Sequence, residues 1–305
     1  MRLFSFLSEN GLNSIGVEME DRMFDLTRAF DIYQQARRVR QPVAFAFLQV
    51  MVEMGYFTRA AVEKIWSDSW VRSKEKDLTL DPDVRFDVPI ARPSKIICLG
   101  RNYIAHAREL NHAVPSEPVL FAKASSALVA HNQDIVIPHW LDSRVDHEAE
   151  LAVVIGKTGH AIPEEEAPSY IAGYTILNDV TARTIQKQDM DKSDPWFRSK
   201  SIDTFCPMGP YLVPREEVSD PGDMEIQLSV NGETRQKAKV SDMLFPVPVL
   251  LQYISKFMTL NPGDIVATGT PEGVSPIQDG DMVEVTITGL GTLRNRVRKE
   301  RLESK

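Results

Sequence analysis

Val145-Asp146-His147-Glu148-Ala149-Glu150-Leu151-Ala152-Val153-Val154-Ile155-Gly156 is the stretch on which the reading of the fold turns. From Leu151 to Ile155 it is apolar without interruption and then stops at a glycine, the pattern of a strand buried on both faces. If that strand reaches back to Glu148, period-two alternation puts Glu148 and Glu150 on one face. Two carboxylates side by side at the mouth of a buried strand repel each other, and a positive group between them relieves the repulsion. Oxygen donors suit a hard divalent cation, Mg²⁺, Mn²⁺ or Ca²⁺. A solvated edge strand with alternating polar residues accounts for the same letters at least as well.

Similar short apolar runs recur at 95–99, 119–121, 134–137, 174–177, 225–230, 264–267, 282–287 and 293–297. Asn231-Gly232 signals a hairpin, and Gly289-Leu290-Gly291 a second turn. Helical stretches are fewer, at 104–110, 167–170 and 248–257. Before them, strands are expected at 2–7, 14–20 and 23–26. Phe45, Leu48, Val52 and Tyr56 follow at helical spacing, and Thr58 caps a further helix carrying Val62, Ile65 and Trp66. Residues 77–93 are rich in Asp and Pro, with Pro82, Pro89 and Pro93, which reads as an extended linker. The expected class is therefore α+β and mainly β, with a small N-terminal α/β domain and linker at 1–90 and a larger domain at 91–305.

The 305 residues carry a formal charge of −8, which disfavours sequence-independent nucleic-acid binding. Cys98 and Cys206 lie far apart without metal-like neighbours and fit reduced, buried thiols. The opening residues are too short an apolar stretch for a signal peptide, and no run is long enough to span a bilayer. The expectation is a soluble, cytoplasmic protein.

Other segments carry chemistry only in combination. Asp179 ends the run at 174–177 and can complete a three-carboxylate site, or cap a helix starting near Thr181. His106 and Glu109 share a helix face, suiting a base oriented by a carboxylate, or merely a surface ion pair. Lys200, among aromatic and small residues, suits an oxyanion partner, although most lysines are simply solvated. Thr268-Gly269-Thr270-Pro271-Glu272-Gly273-Val274 lets a backbone approach an anion with the Thr270 hydroxyl as a donor, or is only a tight turn.

Taken in order, Gly-Arg-Asn-Tyr-x-x-His-x-x-Glu at 100–109, Pro-Val-Leu-Phe-x-Lys at 118–123, Glu-x-Glu-Leu-Ala-Val-Val-Ile-Gly at 148–156, Asn-Asp-Val-Thr-Ala-Arg at 178–183, Lys-Ser-x-Asp-Thr-Phe-x-Pro-x-Gly-Pro at 200–210 and Thr-Gly-Thr-Pro-x-Gly-Val at 268–274 resemble the fumarylacetoacetate hydrolase family. The resemblance runs from about residue 95 to about 297. It implies a mixed β-roll catalytic domain, a homodimer, and Mg²⁺ or Mn²⁺ (Ca²⁺ in some members) on Glu148, Glu150 and Asp179. It further implies His106 and Glu109 as a water-activating dyad on a lid, and Lys200 as the oxyanion partner. Gln186 and Thr270 become substrate contacts, and Arg101, Tyr103 and Lys123 pocket residues. Thr184 departs from the pattern, since many relatives have Asp after Thr-Ala-Arg. The charged segment 187–193 is a candidate for shaping the distal pocket.

The first functional expectation is hydrolytic C–C cleavage of a 2,4-dioxo acid of the acylpyruvate or fumarylacetoacetate type. The alternative is decarboxylation or isomerisation of a 2-oxo dicarboxylate, of the oxaloacetate or 2-hydroxyhepta-2,4-diene-1,7-dioate type, as in aromatic-compound catabolism. A silent ligand-binding scaffold is the third. The partner expected is a small 2-oxo acid, with neither nucleic acid nor membrane.

Overall fold

The computed structural model describes residues 1–39, 43–109 and 113–301. Its first strands are β1 (Arg2–Leu7), β2 (Asn13–Met19), β3 (Arg22–Asp25) and β4 (Arg85–Asp87). Then come β5 (Ile96–Gly100), β6 (Val119–Lys123), β7 (Leu128–Val129), β8 (Ile135–Ile137), β9 (Val145–Asp146), β10 (Ala149–Ile155), β11 (Ile171–Asn178) and β12 (Thr181–Ala182). The last are β13 (Cys206–Pro214), β14 (Glu225–Val230), β15 (Glu233–Lys239), β16 (Ile265–Ala267), β17 (Met282–Ile287) and β18 (Gly291–Lys299). Helices are α1 (Leu26–Ala36), α2 (Leu48–Glu53), α3 (Arg59–Trp66), α4 (Ser69–Arg72), α5 (Glu75–Leu78), α6 (Ile104–Glu109), α7 (Arg183–Asp191), α8 (Phe197–Lys200) and α9 (Val247–Phe257). The expected helix at 104–110 is α6, and Leu110 lies outside the described residues.

The larger sheet runs β3-β2-β1-β13-β11-β10-β16-β5-β6, with β4 added to β1 and β7 to β13. The smaller runs β15-β14-β17-β18-β8. The protein is α+β and mostly sheet, as expected. β10 explains the unbroken apolar run: Leu151, Val153 and Ile155 join one hydrophobic cluster, Ala152 and Val154 the other. The first cluster is shared with the inward residues of the smaller sheet, including Ile226, Leu228, Val283 and Val285. The second is closed by Leu48, Met51, Val52 and Phe57 from the α2 region. Full burial of each such side chain contributes roughly 1.5–3 kcal/mol, so β10 is held firmly in register.

β13 carries Pro207, Pro210 and Pro214 and is absent from the expected strands, yet every residue in it is buried at the sheet's centre. It is accommodated by a register shift between Tyr174 and Ile176, where residues 210–212 bulge out of the β11 ladder, while on the other edge Tyr211 and Leu212 pair with β1. β15 was also missed, because it is almost wholly polar. It forms the second arm of the Asn231-Gly232 hairpin, where both residues have positive φ. The segment read as an extended linker contains the end of α5 and all of β4, and β4 pairs with β1. Thr58 caps α3 by accepting from the Ala61 N–H. Cys98 and Cys206 are buried and unpaired. Among the described residues no helix is long and apolar enough to cross a membrane.

Candidate functional site

The carboxylates converge because of strand register. Ala149 lies opposite Asn178 in the β10–β11 ladder, so one step beyond it Glu148 faces Asp179. Backbone bonds fix that step: Asp179 N–H donates to Glu148 O at 2.8 Å, and Glu148 N–H to the Asn178 side chain at 2.9 Å. On the other side Ala152 pairs with Ala267, which brings Gly269 beside Glu150. There the Gly269 N–H donates to Glu150 Oε2 at 2.8 Å. Gly269 has φ +95°, and a Cβ on it would come within 2.9 Å of Asn102 Cβ, so this close approach requires glycine. One oxygen from each of Glu148, Glu150 and Asp179 lies within 4.8 Å of the others, all three residues being buried.

Basic side chains answer part of this charge. The Lys200 ammonium contacts both Glu148 and Asp179, Lys123 pairs with Asp179 at 2.7 Å, and Arg183 binds Glu148. Burial opposes charge on Glu148, but Lys200 and Arg183 outweigh it and hold its pKa far below the carboxylate range. Burial likewise disfavours charged Lys200, and Asp179 and Glu148 overcome it, raising its pKa. Glu150 is different. Burial, then the charges of Asp179 and Glu148, push its carboxyl well up, and no basic side chain contacts it among the described residues. A buried carboxyl facing like charges takes up a proton or a cation. The donor set is oxygen alone, which suits a hard divalent cation.

Above the carboxylates lies a small cleft of about 40 Å³, lined by Arg101, His106, Phe121, Gln186, Trp196 and Thr270 among others. His106 Nδ1 is 3.4 Å from Glu109 Oε2, longer than a good hydrogen bond. Glu109 instead accepts the Gly273 N–H on both oxygens, at 3.1 and 3.2 Å, tying α6 to the loop after β16. Burial lowers the His106 pKa, which favours neutral imidazole. Tyr103 is buried nearby with an unpartnered hydroxyl. Arg101 stacks over Trp196 at 5.7 Å.

Every residue singled out from the sequence thus lies in or against one cluster, with Lys123 and Tyr103 beneath its surface. Asp179 is no helix cap, since α7 begins four residues later at Arg183, with Ala182 at its N-cap. Thr184 accepts the Arg144 N–H at 3.2 Å and anchors the start of α7. Within 187–193, Met190 reaches the cleft. Sequence reasoning overlooked Arg183 and Asp146. Arg183 binds Asp146 at 2.8 Å, Glu148, and Gln186 Oε1 at 2.6 Å. Asp146 was findable, because it continues the alternation of Glu148 and Glu150.

Residues 95–298 match the C-terminal domain model of fumarylacetoacetate (FAA) hydrolase. The chain belongs to the fumarylacetoacetate hydrolase family. Its relatives in that family include a protein of Arabidopsis thaliana named mitochondrial oxaloacetate tautomerase FAHD1. That protein is 48% identical over 201 residues, covering 66% of this chain and 89% of the relative. A fumarylacetoacetate hydrolase from psychrophilic Exiguobacterium antarcticum superposes with TM-score 0.80 at 34% identity, covering 98% of this chain and all of that one. A maleylpyruvate hydrolase from Sphingobium sp. SYK-6, in complex with manganese(II) and pyruvate, superposes with TM-score 0.77 at 30% identity, over 99% of this chain and all of that one. The solved structures therefore extend the likeness through the N-terminal residues, which the sequence motifs left outside.

Proposed function

We propose that this family member is a divalent-metal-dependent tautomerase of a small 2-oxo dicarboxylate of the oxaloacetate type. The observation that carries the reading is the charge pattern of the site. Asp146, Glu148 and Asp179 each have a basic partner, whereas Glu150 has none among the described residues. Arg144, Arg183, Lys123 and Lys200 balance Asp146, Glu148, Glu150 and Asp179, so a dication held there leaves two positive charges in excess, with Arg101 on the cleft wall beyond them. A dicarboxylate matches that surplus. The name of the Arabidopsis relative supports the same substrate class.

When bound, the dication supplies Lewis-acid charge that lowers the cost of negative charge on the 2-oxo oxygen. Enol–keto interconversion moves a proton between carbon and oxygen, which requires a base that is neutral at physiological pH. His106, kept neutral by burial and with Glu109 3.4 Å from its Nδ1, serves as that base. Lys200 holds positive charge beside the reacting oxygen. Gln186 accepts from Arg183 through Oε1, which turns its NH₂ toward the ligand. Tyr103 offers its unpartnered hydroxyl from below. Two buried, unpaired thiols accord with a reducing, cytoplasmic setting. A homodimer with a catalytic domain beginning near residue 90 completes the proposal.

The test follows the decay of enol-oxaloacetate absorbance with Mg²⁺ or Mn²⁺, beside coupled assays for pyruvate release and for acylpyruvate cleavage. Metal-dependent acceleration of enol decay is expected. Faster acylpyruvate cleavage would instead establish hydrolysis, which the His106–Glu109 pair also suits because a base can activate water.

A further inference from the structure

Gln236 stands out because it is the one buried residue on an otherwise solvent-facing edge strand. A register shift in the β14–β15 pairing turns it inward. Ser229 pairs with Thr234 but Leu228 pairs with Gln236, leaving Arg235 as the extra residue. Such a bulge re-aims the side chains that follow it. Without it Gln236 would stand opposite Gln227, on the other face of the hairpin. The loop after β16 packs directly on the bulge, for a Cβ on Gly273 would lie 2.0 Å from Arg235 O.

All four hydrogen-bonding positions of the Gln236 amide are used. Oε1 accepts the Ala149 N–H at 3.0 Å and His147 Nδ1 at 3.1 Å. Nε2 donates to Pro271 O and to Thr270 Oγ1, both at 2.8 Å. The amide orientation follows from the chemistry, since Ala149 N–H can only donate and Pro271 O can only accept. Thr270 Oγ1 is therefore an acceptor toward Gln236, and its own proton is left to point elsewhere. Thr270 lines the cleft.

We propose that Gln236 is a positioning residue that fixes the Thr270 hydroxyl as a donor to the ligand carboxylate and ties it to the strand start bearing Glu148 and Glu150. This rests on the reading of the cleft as a 2-oxo acid site. Gln236→Met keeps the length and removes the polarity. With no donor facing it, the Thr270 hydroxyl is free to turn and donate to Pro271 O, and the ligand loses one oriented bond.

The test is a double-mutant cycle of Gln236→Met and Thr270→Val on the full chain. Calorimetry measures the Kd of Mn²⁺ alone and then of pyruvate on the Mn²⁺-loaded protein. KM and kcat for oxaloacetate are measured alongside. Each single variant is expected to weaken pyruvate about tenfold, the worth of one oriented hydrogen bond. Mn²⁺ affinity should stay within about twofold, the loss should fall on KM more than on kcat, and the double variant should bind no worse than Thr270→Val. Full additivity, a parallel loss of Mn²⁺ affinity, or unchanged pyruvate binding in Gln236→Met would each overturn the proposal. If Gln236→Met does not fold, the isosteric Gln236→Glu replaces it in the same cycle, with the same non-additivity expected. Pyruvate binding that shows the coupling without oxaloacetate turnover would refute the tautomerase reading and leave Gln236's role standing. No pyruvate binding by the Mn²⁺-loaded wild type would remove both.

Discussion

Replacing Glu150 by Gln tests the metal reading where the protein's own charges leave it least compensated. The amide keeps the shape and can keep an oxygen for the Gly269 N–H, so little packing changes. Unit charges 4.8 Å apart, the outer limit of the carboxylate cluster, repel by roughly 3.5 kcal/mol at an effective dielectric near 20. An ionised Glu150 would feel this from two neighbours, offset by the Gly269 N–H and by Lys200, which touches those neighbours rather than Glu150 itself, so its carboxyl is pushed well up. Without metal, Glu150→Gln should therefore be as stable as wild type or more so. A dication gains about twice that energy from the same carboxylate, and losing even half of it raises the metal Kd more than about a hundredfold.

Thermal unfolding of chelator-treated protein, with and without Mn²⁺, reads both effects. At a hundred times the wild-type Kd, binding stabilises by about 2.7 kcal/mol. For 305 residues at about 2.1 cal/mol/K each, that is a rise of roughly 4 °C in Tm. The variant should show less than about 1 °C at the same Mn²⁺ concentration. A variant that melts several degrees lower without metal, or keeps its full Mn²⁺ increment, would refute the assignment of Glu150 as the uncompensated ligand.

Further outcomes follow from the same geometry. His106→Ala should lower kcat by about 10²–10⁴ while leaving the Mn²⁺ increment in Tm intact, as steady-state kinetics and melting will report. Lys200→Met strips Glu148 and Asp179 of their shared ammonium and should cost about 3–5 kcal/mol without metal, part of it recovered on adding Mn²⁺ in the same melts. Gly232→Val places a β-branched residue at φ +82°, where open space makes the cost purely conformational, about 1–2 kcal/mol in denaturant titration. Burial and Arg294 push the His131 pKa down to about 4, so the unfolded chain binds this proton below about pH 6.5 while the folded one resists. Stability should fall as pH drops from about 6.5 toward 4, and the slope should be shallower in His131→Asn.

The sequence carried those parts of the site that depend on local periodicity. Glu148 and Glu150 share a face because a strand alternates, and the apolar run after them reads as an element covered on both sides. Thr58 as a cap and Asn231-Gly232 as a turn were legible for the same reason: each acts within a few residues of itself. What escaped was set by partners far along the chain. β13 gives no strand signal because its prolines interrupt the pattern, and the bulge opposite Tyr174–Ile176 makes room for Pro210. β15 has no apolar signal, because the smaller sheet buries one residue of it and leaves the rest to solvent as a charged edge.

The same distinction separates the carboxylates from the groups that tune them. Opposition of Glu148 and Asp179 depends on a register summed along the whole β10–β11 ladder; one residue of slip would turn Glu148, Glu150 and the apolar residues after them to the wrong faces. That slip is prevented by burial of Ala149–Ile155 against two cores at once, so the hydrophobic run is what holds the acidic residues in place. An acidic site of this kind is expensive to fold because its charges repel before any ligand arrives. Lys123, Lys200 and Arg183 answer that repulsion for Glu148 and Asp179 while Glu150 stays unanswered. The basic residues thus allow the cluster to form, and the one carboxylate they leave without a partner is where the proposed dication would gain most.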